Sequence, residues 1–404
     1  MRRAGAIACG ALLLAGTLTG WSAVHRENQA VPAISPPALP DPGALHGLVR
    51  LPPPPPLPPP LLAEVQDALS TSYYRFVPSD VLSQPSVELM LAALDDPYTE
   101  YLDPVEYGVL REELSRSYFG VGLTVGPGEG GLIVTSSLVG PAREAGIRAG
   151  DIIVSIDEQP ATNLPFERSA SLIKGEKGTV VHLTVRRPGH KRPIQFTVVR
   201  TEIDVPSVRS RAIKTHGERL GYIRVLSFRE DVAVRVAAAT RKLDRAGVAG
   251  FILDLRGDPG GLLSQAVQVT SVFLKSGIVL STSSLHTTRS YYVSGGAVET
   301  KRPLVVLVDR GTASAAEIVA AALADNGRAV LVGRRTYGKA TVQTLVDLSN
   351  GGALKLTTAT YLTPSGASIR ETGIRPQVKA ADDPLTRPDE AVVVAEEVLL
   401  EQLP

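Results

Sequence analysis

Ser314 and Lys339 are the two residues whose type and setting best suit hydrolytic chemistry. Ser314 follows an apolar, β-branched run at 303–308 and opens an Ala-rich segment that ends at Asn326-Gly327, which predicts a helix beginning at the serine. Free backbone N–H groups there favour negative charge, which suits a hydroxyl whose reaction generates an oxyanion. Lys339 lies in a later glycine-flanked loop, and a desolvated, neutral lysine can accept the hydroxyl proton. The pattern therefore predicts a Ser–Lys pair.

The elements around this pair alternate between strand and helix. Strands are predicted at 221–226, 251–255, 303–308, 329–332 and 354–361, and helices at 231–246, 264–275, 314–324 and 389–403. Such alternation predicts an α/β domain whose reactive loops lie at the carboxyl ends of its strands. Arg256–Gly261 and Gly311–Ser314 both follow predicted strands, so we expect them to lie at one edge of the sheet.

Composition excludes several classes of function. The chain has 42 basic and 41 acidic residues, so its net charge of +1 gives no electrostatic case for a nucleic-acid partner. The single cysteine, Cys9, lies near the N-terminus, so the folded part is expected to have neither disulfides nor thiolate chemistry. The few histidines are not clustered, and no H-E-x-x-H motif occurs. We therefore expect no metal and no cofactor.

Residues 1–25 have the features of a targeting segment. Basic residues at 2–3 precede an apolar run that continues to about residue 24, and Trp-Ser-Ala at 21–23 offers a cleavage site. If uncleaved, an apolar run of about 20 residues could act as a membrane anchor. Both interpretations place the rest of the chain outside the cytoplasm, as a secreted, cell-envelope or outward-facing anchored protein.

Two further segments separate this leader from the strand-rich part of the chain. Residues 26–60 contain long proline runs and are predicted to form a polyproline II linker, with recognition by a proline-binding domain as the alternative. Residues 61–117 show helical apolar spacing. Within them, Asp95-Asp96 precede Pro97, and acidic residues in that position favour a cap or turn over a metal or acid–base site.

Residues 118–203 form a predicted β-rich module with two short helical segments. Gly126–Gly131 matches the dinucleotide pattern G-x-G-x-x-G. A strand follows it, whereas phosphate binding requires a helix, so a hairpin turn is the better interpretation.

The segments Tyr118–Gly122, Ala145–Ile153 and Ile173–Thr179 give this module a resemblance to the PDZ domains of bacterial proteases. The resemblance implies a loop that binds a peptide C-terminus, formed by Phe119, Gly120, Val121 and Gly122. Val121 and Gly122 would supply N–H donors to the carboxylate, and the helix at 167–173 would line the groove in which the peptide adds as a strand. A structural module that binds nothing is the alternative.

Residues 62–377 as a whole resemble the carboxyl-terminal processing, or tail-specific, serine peptidases. Besides the PDZ-like module, the motifs that carry the resemblance are Leu94–Tyr98, Ile252–Gly261, Gly311–Glu317, Thr336–Gln343 and Tyr361–Gly366 with Gly373–Pro376. The presence of all these motifs in this order is a far more specific sign of the family than any single motif. The chain departs from the usual family residues near Gly257-Asp258 (Asn), at Ala340 (Gly) and at Gln377 (Asp).

The resemblance implies a multidomain fold and a set of catalytic roles. The α/β catalytic domain at 204–381 would have the crotonase-like or ClpP-like type of core, followed by a C-terminal helix within 382–404. Ser314 would be the nucleophile, Lys339 the general base, and Gln343 would orient the lysine from a helix-like turn.

The resemblance also implies the oxyanion site and the activity. Backbone N–H groups of Gly260 or Gly261 and of Ala315 would stabilise the oxyanion. The expected activity is an extracytoplasmic endopeptidase that cuts proteins at or near their C-terminal tails. The sequence leaves open an activating adaptor and a homo-oligomer.

Two alternative functions follow from the sequence. Gly333–Lys339 fits most of a phosphate-binding P-loop, but Ala340 lacks the hydroxyl that holds magnesium, and a strand is predicted after it where a helix is needed. The other is a catalytically silent, PDZ-bearing protein that binds tails, which the intact Ser314, Lys339 and Gln343 argue against.

Overall fold

A computed structural model describes residues 59–299, 301–381 and 389–403. The predicted leader and almost all of the proline-rich linker lie outside these residues. Helix α1 begins at Pro59, so the linker boundary expected at residue 60 falls inside a helix; prolines fit there because their fixed φ suits the first helical turn. None of the helices within the described ranges has the length and apolar character needed to cross a membrane.

The N-terminal region is mainly helical, as predicted. Its elements are α1 (Pro59–Ser72), α2 (Ser79–Leu82), α3 (Val87–Leu94), β1 (Glu100–Leu102) and α4 (Pro104–Leu114). Asp95 ends α3 in a left-handed conformation (φ 52°), and Asp96 accepts hydrogen bonds from Tyr98 N–H and Thr99 Oγ1. The prediction that Asp95-Asp96 form a cap and turn is confirmed.

The next part of the chain is a compact β-rich unit. Its elements are β2 (Ser117–Gly120), β3 (Leu123–Gly128), β4 (Gly131–Ser137), α5 (Pro141–Glu144), β5 (Ile152–Ile156), β6 (Gln159–Pro160), a 3-10 turn (Ala161–Asn163), α6 (Phe166–Ile173), β7 (Val180–Arg186), β8 (Ile194–Val199) and β9 (Thr201–Asp204). The sheet order is β3-β4-β5-β7-β8, with β6 on β5, while β2 pairs with β9 separately. β3 and β4 form the predicted hairpin, and β3 is an edge strand.

The remainder contains two sheets and four helices. Its elements are β10 (Val208–Thr215), β11 (Glu218–Val225), α7 (Val232–Arg245), β12 (Gly250–Asp254), α8 (Leu263–Phe273), β13 (Ile278–Ser283), β14 (Thr288–Tyr292), β15 (Leu304–Val308), α9 (Ala315–Asp325), β16 (Val330–Gly333), β17 (Thr341–Asp347), β18 (Ala353–Leu362), β19 (Val378–Lys379) and α10 (Glu390–Glu401). The larger sheet has the order β10-β11-β12-β15-β16-β19 and is parallel from β11 to β19. The predicted α/β architecture is confirmed.

Strand β15 shows how this sheet is buried on both faces. Leu304, Val306 and Val308 belong to the core shared with α7, α8 and α9, whereas Val305 and Leu307 pack on the α10 side. Successive strand residues point to opposite faces, so a strand covered on both sides needs a continuous apolar run. Because β12 and β15 are neighbouring parallel strands, the loops after both lie at the same edge, as expected.

The second sheet joins the N-terminal region to strands from the second half of the chain. Its order is β1-β18-β13-β14, with β17 also paired to β18. The N-terminal helices share a buried cluster with Leu354 and Leu356 of β18. This packing brings the turn before β1 next to the loop that precedes β17.

Candidate active site

Ser314 occupies the turn between β15 and α9 in a backbone conformation that is rare for a residue with a side chain. Its φ is 53° and its ψ is −117°, and α9 starts at the next residue, Ala315. Non-glycine residues held at positive φ cost about 1–3 kcal/mol and cluster at functional sites. The half-buried serine is thus presented at a helix N-terminus, as the sequence predicts.

Lys339 lies in the loop immediately before β17 and is half-buried. Burial and, to a smaller extent, the positive charge of Lys355 lower the pKa of its ammonium group to about 8. The Lys339 Nζ atom lies 4.8 Å from the centroid of the Tyr98 ring. The fraction of this lysine that is neutral and able to accept a proton at neutral pH is therefore a minority, but it is far larger than for an exposed lysine.

The buried carboxylate of Glu317 joins these two residues. Its Oε2 accepts the backbone N–H of Ser314 (2.9 Å) and of Lys339 (3.0 Å), while Oε1 accepts Gly338 N–H (2.7 Å) and the Thr336 hydroxyl. Burial raises the pKa of Glu317, and these four donors oppose that rise. The Glu317 side chain thus fixes the turn that carries Ser314 against the loop that carries Lys339.

The hydroxyl of Tyr361 supports the same arrangement from β18. It donates to the carbonyl of Lys339 at 2.7 Å and lies 3.4 Å from that of Ser314. Tyr361 is buried, and its own N–H donates to the Ala340 carbonyl. The backbones of Ser314 and Lys339 are therefore held by a carboxylate through their amides and by a phenol through their carbonyls.

Gln343 lies in strand β17, so the expectation of a helix-like turn after Lys339 is wrong. The β-branched residues of 341–346 favour the pleated conformation, and β17 pairs with β18. The Gln343 Nε2 donates to Thr341 Oγ1 (2.9 Å) and Thr357 Oγ1 (3.3 Å), next to a register shift between Val342 and Gln343. The same strand removes the P-loop alternative, because a phosphate loop needs a helix at this point.

The two glycines predicted to supply an oxyanion donor differ in whether their backbone N–H group is already hydrogen-bonded. The Gly260 N–H already donates to Asp258 Oδ1 at 2.8 Å. Within the described part of the chain, the N–H groups of Gly261 and Ala315 donate no hydrogen bond. Of the expected donors, Gly261 and Ala315 are the pair left available to a ligand in this structure.

Gly260 also closely approaches the serine. A Cβ at this position would lie 2.7 Å from the Ala313 carbonyl oxygen, 2.8 Å from Ala315 N and 2.9 Å from Ser314 Cβ. Its φ of 96° is a second reason for glycine. The loop after β12 and the turn after β15 are therefore packed backbone against backbone.

Asp309 and Thr312 hold these two loops together. Asp309 Oδ1 accepts the N–H groups of Gly257, Gly311 and Thr312. The Thr312 hydroxyl donates to the Leu255 carbonyl at 2.9 Å. The edge of the sheet beside Ser314 is thus fixed by hydrogen bonds that cross from one loop to the other.

The residues predicted to bind a peptide C-terminus are consecutive: the first two end strand β2, and the last two form the short loop between β2 and β3. They are Phe119, which is exposed, and Gly120, Val121 and Gly122, which are buried. The Val121 carbonyl accepts Ala142 N–H, and the Gly122 carbonyl accepts Leu138 N–H. The loop leads directly into the edge strand β3, which α6 contacts.

Sequence reasoning missed several residues of this site. Glu317 had a recognisable signal, since Ser314-x-x-Glu317 is the spacing of a capping box. Tyr98 and Tyr361 lie in two of the motifs that carry the family resemblance, but no local sequence pattern indicated that either residue would contact Lys339. Among the described residues there is no group of three or more His, Cys, Asp or Glu side chains that could hold a metal ion.

Family models match most of the folded chain. A model of peptidase family S41 matches residues 219–380, and a PDZ domain model matches residues 109–186. The PDZ match begins within α4 and ends at β7, earlier at both ends than the range of 118–203 expected from the sequence.

Similar proteins agree with these matches. The chain is 38% identical over 304 residues to a carboxyl-terminal-processing protease of Synechocystis, covering 74% of this chain and 71% of that protein. It is 35% identical over 321 residues to the carboxy-terminal processing protease CtpA of Bacillus subtilis, covering 79% and 68%. The solved structure of a photosystem II D1 C-terminal processing protease is 30% identical, with a TM-score of 0.52 and coverage of 81% and 94%.

Proposed function

The chain belongs to the carboxyl-terminal processing serine peptidases of family S41, and from that premise we propose that it cleaves proteins by a Ser–Lys acyl-enzyme mechanism. Ser314 is the nucleophile and Lys339 the general base. The observation that carries the proposal is the pairing of a strained serine with a lysine whose pKa is about 8, both bound through their amides to Glu317.

The proposed reaction transfers the acyl group in two steps. Ser314 Oγ attacks the scissile carbonyl carbon while Lys339 Nζ takes the hydroxyl proton, and the C–N bond breaks as that proton passes to the leaving amine. Water then attacks the ester, Lys339 accepts its proton and returns it to Ser314 Oγ, and the carboxylic acid leaves. The N–H groups of Gly261 and Ala315 stabilise the oxyanion in both steps, each donor contributing about 3 kcal/mol.

Gln343 serves as a positioning residue in this proposal. Its amide group is held by the hydroxyls of Thr341 and Thr357. Thr357 is in turn bonded to Thr99, whose hydroxyl donates to Asp96 at 2.7 Å. This network extends from the Lys339 loop to the turn that carries Tyr98, so Gln343 orients the lysine through its surroundings.

The PDZ module binds the substrate's C-terminal tail and controls access to Ser314. The supporting features are the segment at 119–122, which ends β2 and leads into β3, the edge strand β3 itself and the neighbouring helix α6. An edge strand offers unpaired backbone groups to which an extended peptide can add. The segment at 1–25 directs the protein out of the cytoplasm, by export or as a membrane anchor.

The test uses the full chain in three versions: unmodified, Ser314→Ala and Lys339→Ala. Each is incubated with a loosely folded protein that ends in an apolar tail, and products are followed by mass spectrometry. We expect cleavage by the unmodified chain alone. Cleavage by all three would reject the Ser–Lys centre, and tail binding without cleavage in all three would favour the silent tail-binding protein.

Tail recognition is tested with the same substrate carrying a C-terminal amide. Removing the terminal carboxylate should raise KM or slow cleavage, because the segment at 119–122 would lose its ligand. Equal cleavage of the acid and amide forms, at several substrate concentrations, would contradict tail binding by the module.

A further inference from the structure

Asp258 is a buried carboxyl group that the proposed reaction does not use. It follows β12 and the ion-paired Arg256, and its side chain is 0% exposed. Carboxyl groups are almost never fully buried unless they are paired. Its position next to the glycine pair at 260–261 therefore requires an explanation.

Asp258 makes hydrogen bonds to both backbone segments that meet beside Ser314, the loop after β12 and the turn after β15. Its Oδ1 accepts Gly260 N–H at 2.8 Å, and its backbone carbonyl accepts Ala313 N–H at 2.9 Å. Gly260 belongs to the loop after β12, and Ala313 directly precedes the serine. The same residue thus binds the two backbone segments that flank the candidate oxyanion donors, Gly261 and Ala315.

The second carboxyl oxygen of Asp258, Oδ2, bears on whether the carboxyl group is protonated. Within the described chain, Oδ2 has no hydrogen-bond partner. Burial raises the pKa of Asp258 well above its ordinary value, and the charges of Asp254 and Asp309 raise it too, whereas the Gly260 N–H and the charge of Arg224 lower it. A carboxylate with one bare oxygen is costly in this setting, so burial favours the neutral form of the group.

We propose that Asp258 is a positioning residue for the reaction of Ser314: it fixes the Gly260 and Ala313 amides and thereby sets the spacing between the loop after β12 and the turn that carries Ser314, whose N–H groups would bind the oxyanion. The inference rests on the proposed function, since it assigns Asp258 a role in the same reaction. In this proposal the Asp258 side chain does not contact the substrate; it acts through the backbone of the neighbouring residues.

Two substitutions separate this role from general stability. Asp258→Asn keeps the shape, the acceptor and the neutral state, so kcat should stay within about threefold of the unmodified value. Asp258→Ala leaves Gly260 N–H without its acceptor, so kcat should fall about 100-fold while KM is unchanged, as expected when a reacting group is displaced. Folding of each variant is checked by circular dichroism, and Asp244→Ala, at an exposed site far from Ser314, is the matched control.

Several outcomes would overturn the inference. These are an unchanged kcat in folded Asp258→Ala, a KM effect without a kcat effect, and a folded Asp258→Asn that loses tenfold or more in kcat. If Asp258→Ala does not fold, Asp258→Asn alone decides. Ser314→Ala is assayed in parallel: cleavage by that variant would reject the proposed function, whereas its inactivity with normal kcat in Asp258→Ala would reject only the role of Asp258.

Discussion

The backbone amides of Ser314 and Lys339 donate to the same oxygen atom, Oε2 of Glu317. The two residues come from different elements, the start of α9 and the loop before β17, so no local rule fixes their distance. A shared acceptor makes the position of one depend on the position of the other. The relative position of the proposed nucleophile and base is therefore set by a third residue.

Replacing Glu317 should impair stability and activity together. Glu317→Ala leaves four donors without an acceptor, which predicts a loss of about 3 kcal/mol or more in the free energy of unfolding. The kcat should fall about 100-fold because both loops shift. Urea unfolding and cleavage assays measure the two effects. Asp325→Asn, which keeps an acceptor for Ser365 N–H at the exposed end of the same helix, should change neither. A normal kcat in Glu317→Ala would contradict the shared-acceptor argument.

Cleavage should depend on pH through Lys339. Its neutral form accepts the serine proton, and its pKa is about 8, so kcat/KM should rise as pH increases through about 8 and level off above it. Profiles of kcat/KM against pH, limited to the range in which the protein stays folded, measure this. A flat profile from neutral to alkaline pH would argue against lysine as the base.

Two charges near Lys339 should move that profile in opposite directions. The charge of Lys355 lowers the pKa of Lys339 and that of Glu100 raises it, and the two form a 2.7 Å ion pair with each other. Lys355→Met should therefore shift the midpoint to higher pH, and Glu100→Gln should shift it to lower pH. Shifts of the same sign in both variants would indicate a general effect of breaking the pair.

Substitution of Gly260 should abolish activity, whereas substitution of Gly257 should not. The Cβ that Gly260→Ala introduces would lie within 2.9 Å of three atoms in the segment from Ala313 to Ala315, so the serine turn must move. Gly257 also has a positive φ, but a Cβ there would meet nothing within 4 Å. We expect Gly260→Ala to lose about 100-fold or more in kcat and Gly257→Ala to retain most of its activity. Equal losses in both would assign the effect to backbone strain alone.

The raised pKa of Asp258 predicts a pH-dependent stability difference from Asp258→Asn. The unfolded carboxyl has an ordinary pKa of about 3.9, and the folded value is raised. The stabilisation that this proton provides is complete below about pH 4 and is lost as pH rises towards the folded pKa. The free energy of unfolding of the unmodified chain, relative to Asp258→Asn, should therefore fall as pH rises. A difference that grows with pH would mean that the folded carboxyl is ionised.

Local patterns predicted the parts of the site that depend on short-range rules. The apolar run at 303–308 and the caps around α9 placed Ser314 correctly, because a buried parallel strand and a helix terminus each have a sequence signature. The same reasoning failed for Gln343. Spacing of four residues suggested a helical contact, but pairing with β18 decided the conformation.

The surroundings of Lys339 could not be read from the sequence. Tyr98 reaches it because β1 pairs with β18, and Tyr361 because β18 pairs with β17. Those pairings join segments far apart along the chain, and their register depends on the packing of the N-terminal helices. A lysine in a glycine-flanked loop is recognisable, but its burial is a property of the assembled fold.

The pairing of β1 with β18 also affects when the protein becomes reactive. In an unfolded chain Lys339 is fully hydrated, with an ordinary pKa of about 10.4, and almost none of it can accept a proton at neutral pH. The strands that bury it end at Leu362, close to the C-terminus, while Tyr98 is made early. In the proposed mechanism, a chain that is still being synthesised therefore carries its serine without a working base, which would prevent it from digesting itself or its neighbours before it has folded.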